Sequence, residues 1–175
     1  MSAMFIETKE IGPEGLEVDR YFNEPPPLPL DGSEMVRLGA VHLTGRIQRE
    51  ASDLEFAGDI ETEAALNCSR CLESYGLPLT LHFSLLYTTS PDAAGRKERR
   101  VNEESVTLTR YDGVRLDLKA LLAEQIYLGL PLKPLCSDDC RGLCSRCGTN
   151  LNLGRCECQE KRIDDPRLQV LKTLL

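Results

Sequence analysis

The chain has 175 residues, with 21 basic and 28 acidic side chains, a formal net charge of -7, two histidines, no tryptophan and eight cysteines. That length suits one domain plus an appendage, and a 41% apolar share excludes the low-hydrophobicity, high-charge profile of a disordered chain. The acidic balance argues against a protein that coats nucleic acid non-specifically, because such binding depends on Lys and Arg neutralising phosphates; any RNA contact is expected to be local or made through a protein partner.

The start, MSAMFIETKE, lacks both a basic n-region and an apolar h-region. No apolar stretch approaches the roughly 20 residues of a membrane span, so the expectation is a cytoplasmic, soluble protein. Short extended pieces are expected at Met4–Lys9 and Gly15–Tyr21, with a turn at Gly12-Pro13. The segment Glu24–Gly32, with four prolines in nine residues, reads as a stiff connector or sheet-edge piece.

Val36, Leu38 and Ala40 alternate on one face, and Val41, Leu43, Gly45 and Ile47 on the other, which predicts a bulge or bend near Ala40. Period-two alternation continues through Leu54–Leu66 and again through Leu77–Tyr87, giving two long half-buried strands. Residues 90–105 have no apolar periodicity and are expected to form a loop. They carry the densest basic run, Arg96, Lys97, Arg99 and Arg100, a candidate RNA- or partner-contacting site.

Val106 and Leu108 lead to Asp112-Gly113, a hairpin turn signal, followed by Val114, Leu116 and Leu118. From Asp117 as N-cap, Leu118, Leu121, Leu122 and Ile126 predict an amphipathic helix over about 117–129, ended by Gly129 and Pro131. A second, short helix is expected after Asp164-Asp165-Pro166, with Leu168, Val170, Leu171 and Leu174 on its packing face. No internal repeat of 20 to 50 residues stands out.

The cysteines fall in four close pairs: Cys68 and Cys71, Cys136 and Cys140, Cys144 and Cys147, Cys156 and Cys158. In a reducing compartment such pairing points to metal rather than to disulfides. A Cys-x-x-Cys turn aims two thiolates at one point, so two pairs supply a tetrahedral zinc site and eight cysteines supply two sites. The favoured partition joins Cys144, Cys147, Cys156 and Cys158 in one compact site, with Gly148 tolerating a positive φ in the turn. Cys68, Cys71, Cys136 and Cys140 then form the other, stapling the sheet to the segment after the helix. The spacing also admits a cross-brace between Cys68/Cys71 and Cys144/Cys147. Four thiolates close the coordination sphere, which favours structural metal over hydrolysis; an iron–sulfur or thiol-redox role is the competing chemistry.

Other enzyme signatures are absent: there is no phosphate-binding glycine loop and no H-E-x-x-H. His42 and His82 read as ordinary strand positions. Arg70, Arg141, Arg146 and Arg155, inside or beside the knuckles, are candidates for RNA phosphates or for bonding backbone carbonyls.

The CSRCL block (Cys68–Leu72), the LPLKPLC that closes the helix, DDCRGLCSRCGTNLNLGRCEC and the terminal DPRLQVLKTLL follow in an order that resembles the YceD family, from about residue 36 onward. The resemblance implies a protein without catalytic activity, needed for synthesis, processing or stability of large-subunit (23S) ribosomal RNA. Its implied partners are a large-subunit RNA precursor, a basic ribosomal protein, or both, with no membrane and no small-molecule substrate. The fold expected overall is α+β: a mainly antiparallel, barrel-like sheet with one helix (residues 1–135), then a cysteine-rich zinc-knuckle tail with a terminal helix packed on it (residues 136–175).

Overall fold

The computed structural model describes residues 4–28, 36–51, 53–89 and 107–158. In chain order the elements are β1 (Phe5–Glu7), a 3-10 turn (Thr8–Glu10), β2 (Leu16–Phe22), β3 (Val36–Leu38), β4 (Val41–Glu50), β5 (Asp53–Asn67), β6 (Ser74–Thr88), β7 (Thr107–Arg110), β8 (Arg115–Asp117) and α1 (Leu118–Gly129). The expected loop over 90–105 and the expected terminal helix lie outside the described residues.

β5 and β6 form a hairpin of two 15-residue strands, the spine of the molecule. β4 adds antiparallel to the outer edge of β5, and β2 adds to β4. The alternation that reveals these strands also fixes their orientation. Leu54, Phe56, Ile60, Ala64 and Leu66 on β5 are buried, as are Leu79, Phe83, Leu85 and Tyr87 on β6. They share one face with Val41, Leu43 and Ile47 of β4. Gly45 faces Gly58 across the β4–β5 pair because a Cβ on either would meet the partner's backbone at 2.5 Å or less, and the gap leaves room for the Phe56 ring.

The phase change near Ala40 is a bulge. Leu38 pairs with Ala64 and His42 with Glu61, so four steps on the outer strand match three on β5. The Gly39 N–H donates to Glu63 O at 2.8 Å and Thr62 Oγ1 donates to Ala40 O at 3.1 Å, which holds the extra residue.

α1 covers the apolar face of the sheet. Asp117 caps it as expected, its Oδ1 accepting from the N–H groups of Lys119 (2.9 Å) and Ala120 (3.1 Å), a contact usually worth about 1 kcal/mol. Leu118, Leu121, Leu122 and Ile126 are buried in the common core. Gly129 closes the helix in a way the sequence did not suggest: a Cβ there would meet the Leu81 side chain of β6 at 2.4 Å, so the glycine permits close approach.

Two expectations are corrected. The sheet is not closed into a barrel: it runs β2-β4-β5-β6-β7, with β2 and β7 at opposite edges and no pairing between them. The Asp112-Gly113 turn does not join a hairpin. β7 pairs parallel to β6, while β8 leaves for β1 and forms a separate two-stranded sheet. Asp112 still makes its turn, its Oδ1 accepting from the N–H groups of Val114 and Arg115, with Gly113 at φ 82°. The strands it connects serve different sheets.

Candidate metal centres

The loop of the β5–β6 hairpin is the first cysteine motif. β5 ends at Asn67, β6 begins at Ser74, these two residues pair, and Cys68–Glu73 is the connection between them. Inside that loop the Cys68 N–H donates to Glu73 O (2.9 Å), the Leu72 N–H to Cys68 O (2.9 Å), and the Arg70 N–H to Cys68 Sγ (3.4 Å). The chain returns through the residue after Cys71 at positive φ, 63° at Leu72.

The same turn recurs 76 residues later. Leu143 and Asn150 form a β-bridge around Cys144–Thr149. The Cys144 N–H donates to Thr149 O (2.9 Å), the Gly148 N–H to Cys144 O (2.9 Å), and the Arg146 N–H to Cys144 Sγ (3.5 Å). Gly148 takes φ 73°, as its place after Cys147 suggested. The molecule thus holds two copies of one knuckle, both spelled Cys-Ser-Arg-Cys.

Each knuckle meets a second cysteine pair. Cys68, Cys71, Cys136 and Cys140 place their Sγ atoms within 4.8 Å of one another, and so do Cys144, Cys147, Cys156 and Cys158. This is the favoured grouping from spacing; the cross-brace is not what the fold builds. In the first cluster, Cys68 Sγ lies 3.7 Å from Cys140 Sγ and Cys71 Sγ lies 3.7 Å from Cys136 Sγ. Four sulfurs around one tetrahedral ion at about 2.3 Å stand about 3.8 Å apart. The donor set and spacing of the first cluster therefore fit one ion, and the second offers the same four-thiol donor set within 4.8 Å.

The clusters differ in shelter. Cys68, Cys71 and Cys140 are buried with Tyr75 and Leu135 packed against them, and only Cys136 is exposed. In the second cluster Cys147 is exposed and the other three are half-buried.

In both clusters the thiols split in acidity. Burial pushes Cys68 up, but N–H groups of Cys136, Cys71 and Arg70 outweigh it and bring it down to about 6. The Asn152 amide likewise lowers Cys140, while Cys136 is pushed up to about 12 chiefly by its bond with Cys140. In the second cluster Thr149 lowers Cys147 to about 6, and Cys158 is pushed up to about 12 by Cys147. Four adjacent thiols cannot all ionise without a cation among them, and a bound ion releases the remaining protons.

The two clusters are joined by the chain between them. The Ser69 N–H donates to Pro134 O (2.8 Å) and the Leu143 N–H to Arg70 O (3.1 Å). Gly142, at φ 73°, lets the backbone pass Arg70 O where a Cβ would stand 3.0 Å away. Asn152 spans both units: it lies in the loop between Cys147 and Cys156, its Nδ2 donates to Cys140 Sγ of the first cluster (3.3 Å), and its Oδ1 accepts from the Arg141 N–H (2.7 Å). Sequence reasoning missed Asn152; the only signal was its place in a short loop beside cysteine ligands.

The candidate arginines separate by role. Arg70 Nη1 donates to Cys140 O (2.9 Å) and Asp138 O (3.3 Å), so its guanidinium braces the backbone that carries the second ligand pair. Arg141, Arg146 and Arg155 are exposed around the second knuckle. Arg96, Lys97, Arg99 and Arg100 lie outside the described residues. His42 and His82 sit on the open face of the sheet, His42 Nε2 bonded to Asp19 Oδ1 (2.9 Å) and stacked on Tyr21, His82 bonded to Asp59. No helix among the described residues is long and apolar enough to cross a membrane.

The family model described as large ribosomal RNA subunit accumulation protein YceD matches residues 56–175, which include both clusters. A chloroplastic protein of Arabidopsis thaliana named large ribosomal RNA subunit accumulation protein YCED homolog 1 is 23% identical over 71% of this chain and 45% of its own length. Its namesake in Zea mays is 24% identical over 67% and 48%. An uncharacterised protein of Mycobacterium leprae is 30% identical over 63% and 49%. The chain spans about half the length of these relatives. No solved structure matches. With more than half of its residues under that model, the chain belongs to the YceD family.

Proposed function

We propose that the protein is a non-enzymatic factor that supports accumulation of the large-subunit ribosomal RNA (23S) in the cytoplasm, built around two structural zinc ions. The family match carries the first half of this reading. The observation that carries the second is the pair of four-thiol clusters: sulfur separations of 3.7 Å in the first fit the edge of a single zinc tetrahedron, and the second gathers four Sγ atoms within 4.8 Å of one another. Thiolates on different irons of a cluster stand farther apart than the edge around one ion, which favours a mononuclear site. Four protein ligands fill the tetrahedron and leave no position for an activated water, so the metal serves as a staple rather than a catalyst.

RNA contact is assigned to the second knuckle, where Arg141, Arg146 and Arg155 are exposed, together with Arg96, Lys97, Arg99 and Arg100. A second reading, that the protein holds a basic ribosomal protein, is favoured by the open face of the sheet, where Glu17, Asp19, Glu61 and Glu63 stand exposed on neighbouring strands.

Depletion in the host with ribosomal RNA quantified across a sedimentation gradient tests the role. The large-subunit RNA should fall relative to the small-subunit RNA and recover with the wild-type chain. An unchanged ratio sinks the proposal. Metal analysis of purified protein should give two zinc ions per chain without visible absorbance; a brown, iron-loaded chain overturns the zinc assignment. Crosslinking in growing cells that recovers a ribosomal protein and no RNA moves the reading to the second form.

A further inference from the structure

The two sheets part at the end of β6. β6 and β7 run parallel and finish together, with Tyr87 paired to Thr109 and Thr88 to Arg110. The chain then turns through Tyr111 and Asp112 into β8, which leaves for the second sheet. Between the strand ends, β1, β8 and the first two turns of α1 this leaves a cleft of about 290 Å³, with Tyr87 among its lining residues. That is the small end of the ~300–1,000 Å³ range of ligand sites and suits one small molecule. Parallel strands commonly open ligand clefts at their carboxyl ends.

One buried group in the cleft lacks a partner. Tyr87 is 5% exposed, and its hydroxyl makes no hydrogen bond among the described residues. No side-chain nitrogen or oxygen among them is both sealed from water and unbonded, so the Tyr87 hydroxyl opens onto the cleft. Burial, with Glu124 and Asp117 nearby, raises its pKa and keeps it protonated as a donor. A buried phenol normally finds such a partner within the protein.

The charged groups around it sort by what they already bond. Asp112 accepts from the N–H groups of Val114 and Arg115, and Asp117 from those of Lys119 and Ala120. Arg110 on β7 and Glu124 on α1 are exposed, and neither makes an ion pair or hydrogen bond among the described residues. The Arg115 guanidinium lies 4.4 Å over the Phe5 ring, which is 38% exposed, and the pair offers a flat stacking surface.

We infer that the cleft binds one nucleotide, its base stacked on the Arg115–Phe5 pair, an amino group of that base donating to Glu124, its phosphate on Arg110, and the Tyr87 hydroxyl donating to the ligand. Bases stack on aromatic rings and on arginine planes, and phosphate takes the arginine fork. A carboxylate only accepts, so Glu124 selects a base that carries an amino group, which uracil lacks. A basic side chain fits less well, because two guanidiniums face the single carboxylate that is not already bonded. A free nucleotide and a nucleotide of RNA share this chemistry. β6 sets the cleft on the order of 40 Å from the first knuckle, so binding here adds to the RNA contact assigned to the second knuckle and rests on neither it nor the metal.

Titration calorimetry on the full-length, metal-loaded chain tests this with adenosine and uridine monophosphate and with short single-stranded oligo(A) and oligo(U). The adenine forms should bind at least about tenfold more tightly than the uracil forms, and Glu124→Gln should erase that preference. Tyr87→Phe and Arg110→Gln should each weaken adenine binding by about five- to tenfold, with metal content and the circular dichroism melt unchanged. An oligomer that binds no more tightly than its monomer makes the free nucleotide the ligand; a tighter oligomer makes it RNA. Absence of binding by both forms at millimolar concentration overturns the inference, and so does binding that survives all three substitutions or does not distinguish adenine from uracil. Any of these failures leaves the effect of depletion on ribosomal RNA, which is read separately, where it stood.

Discussion

The two knuckles are the same turn placed in different surroundings. Hydrogen bonds from three corresponding N–H groups, two to carbonyls and one to a cysteine sulfur, agree to within 0.1 Å, yet the first knuckle is the tip of the β5–β6 hairpin and the second is a short bridge on the surface. The first is joined to Cys136 across 65 residues, a span that includes β6, β7, β8 and α1. The second closes on Cys156 within the same loop. Closing the longer span costs the unfolded chain more entropy, and the metal that closes it constrains most of the fold. The same chemistry therefore has global consequences in one place and local ones in the other.

Ligand removal gives the largest test of that contrast. Cys71→Ser should release one metal ion and lower the melting temperature of the whole β domain, because structural zinc supplies on the order of 10 kcal/mol of folding free energy in such sites. Cys147→Ser should release one ion as well but unfold only the second knuckle, leaving the sheet's transition near its wild-type position. Metal content read beside circular dichroism melts checks both. Equal melts for the two variants would mean that the knuckles are not energetically distinct.

Asn152→Ala comes next, and it asks whether the sites are separate at all. The amide bonds a sulfur of the first cluster from the loop of the second, and loss of such a contact to a ligand typically costs about 10- to 100-fold in metal affinity. Competition with a chromophoric chelator should show the loss at the first site, although no ligand of that site is altered. A loss confined to the second site would sever the proposed link.

Arg70→Ala and Arg146→Ala form a matched pair on equivalent positions of the two turns. Removing the Arg70 guanidinium deletes bonds to Cys140 O and Asp138 O and should destabilise the first site by about 1–2 kcal/mol. Arg146→Ala should change stability by less than about 0.5 kcal/mol, as surface substitutions do, while weakening RNA crosslinking. If Arg146→Ala leaves crosslinking intact, the RNA contact lies elsewhere.

Much of this contrast could be read before the structure. Period two in Leu54–Leu66 and Leu77–Tyr87 disclosed the two long strands, Asp117 disclosed the helix start, and cysteine spacing favoured the grouping that the fold builds while also admitting a cross-brace. What escaped was non-local. Nothing in Thr107–Arg110 says that it pairs parallel to β6, since alternation records which face is buried and not the direction of a neighbour. The Asp112-Gly113 signal describes a turn truly, but pairing of β8 with β1 decides what that turn connects. A barrel was expected because successive amphipathic strands suggest closure, and closure depends on two edge strands meeting, which β2 and β7 do not. The repeated knuckle was in plain sight as two Cys-Ser-Arg-Cys tetrapeptides, yet too short to register as a repeat.

The smallest effect is expected where the turns differ, at Leu72 and Gly148. A Cβ on Gly148 meets nothing within 4 Å, so Gly148→Ala should cost only left-handed backbone strain, about 1 kcal/mol, seen as about a fivefold loss of affinity at the second site. Leu72→Gly should relieve similar strain in the first turn, but glycine gives the unfolded chain about 0.5–1 kcal/mol of extra conformational freedom. The two nearly cancel, and the melting temperature should move by no more than about 3 °C. A larger fall would show that the Leu72 side chain contributes burial that its exposed place among the described residues does not supply.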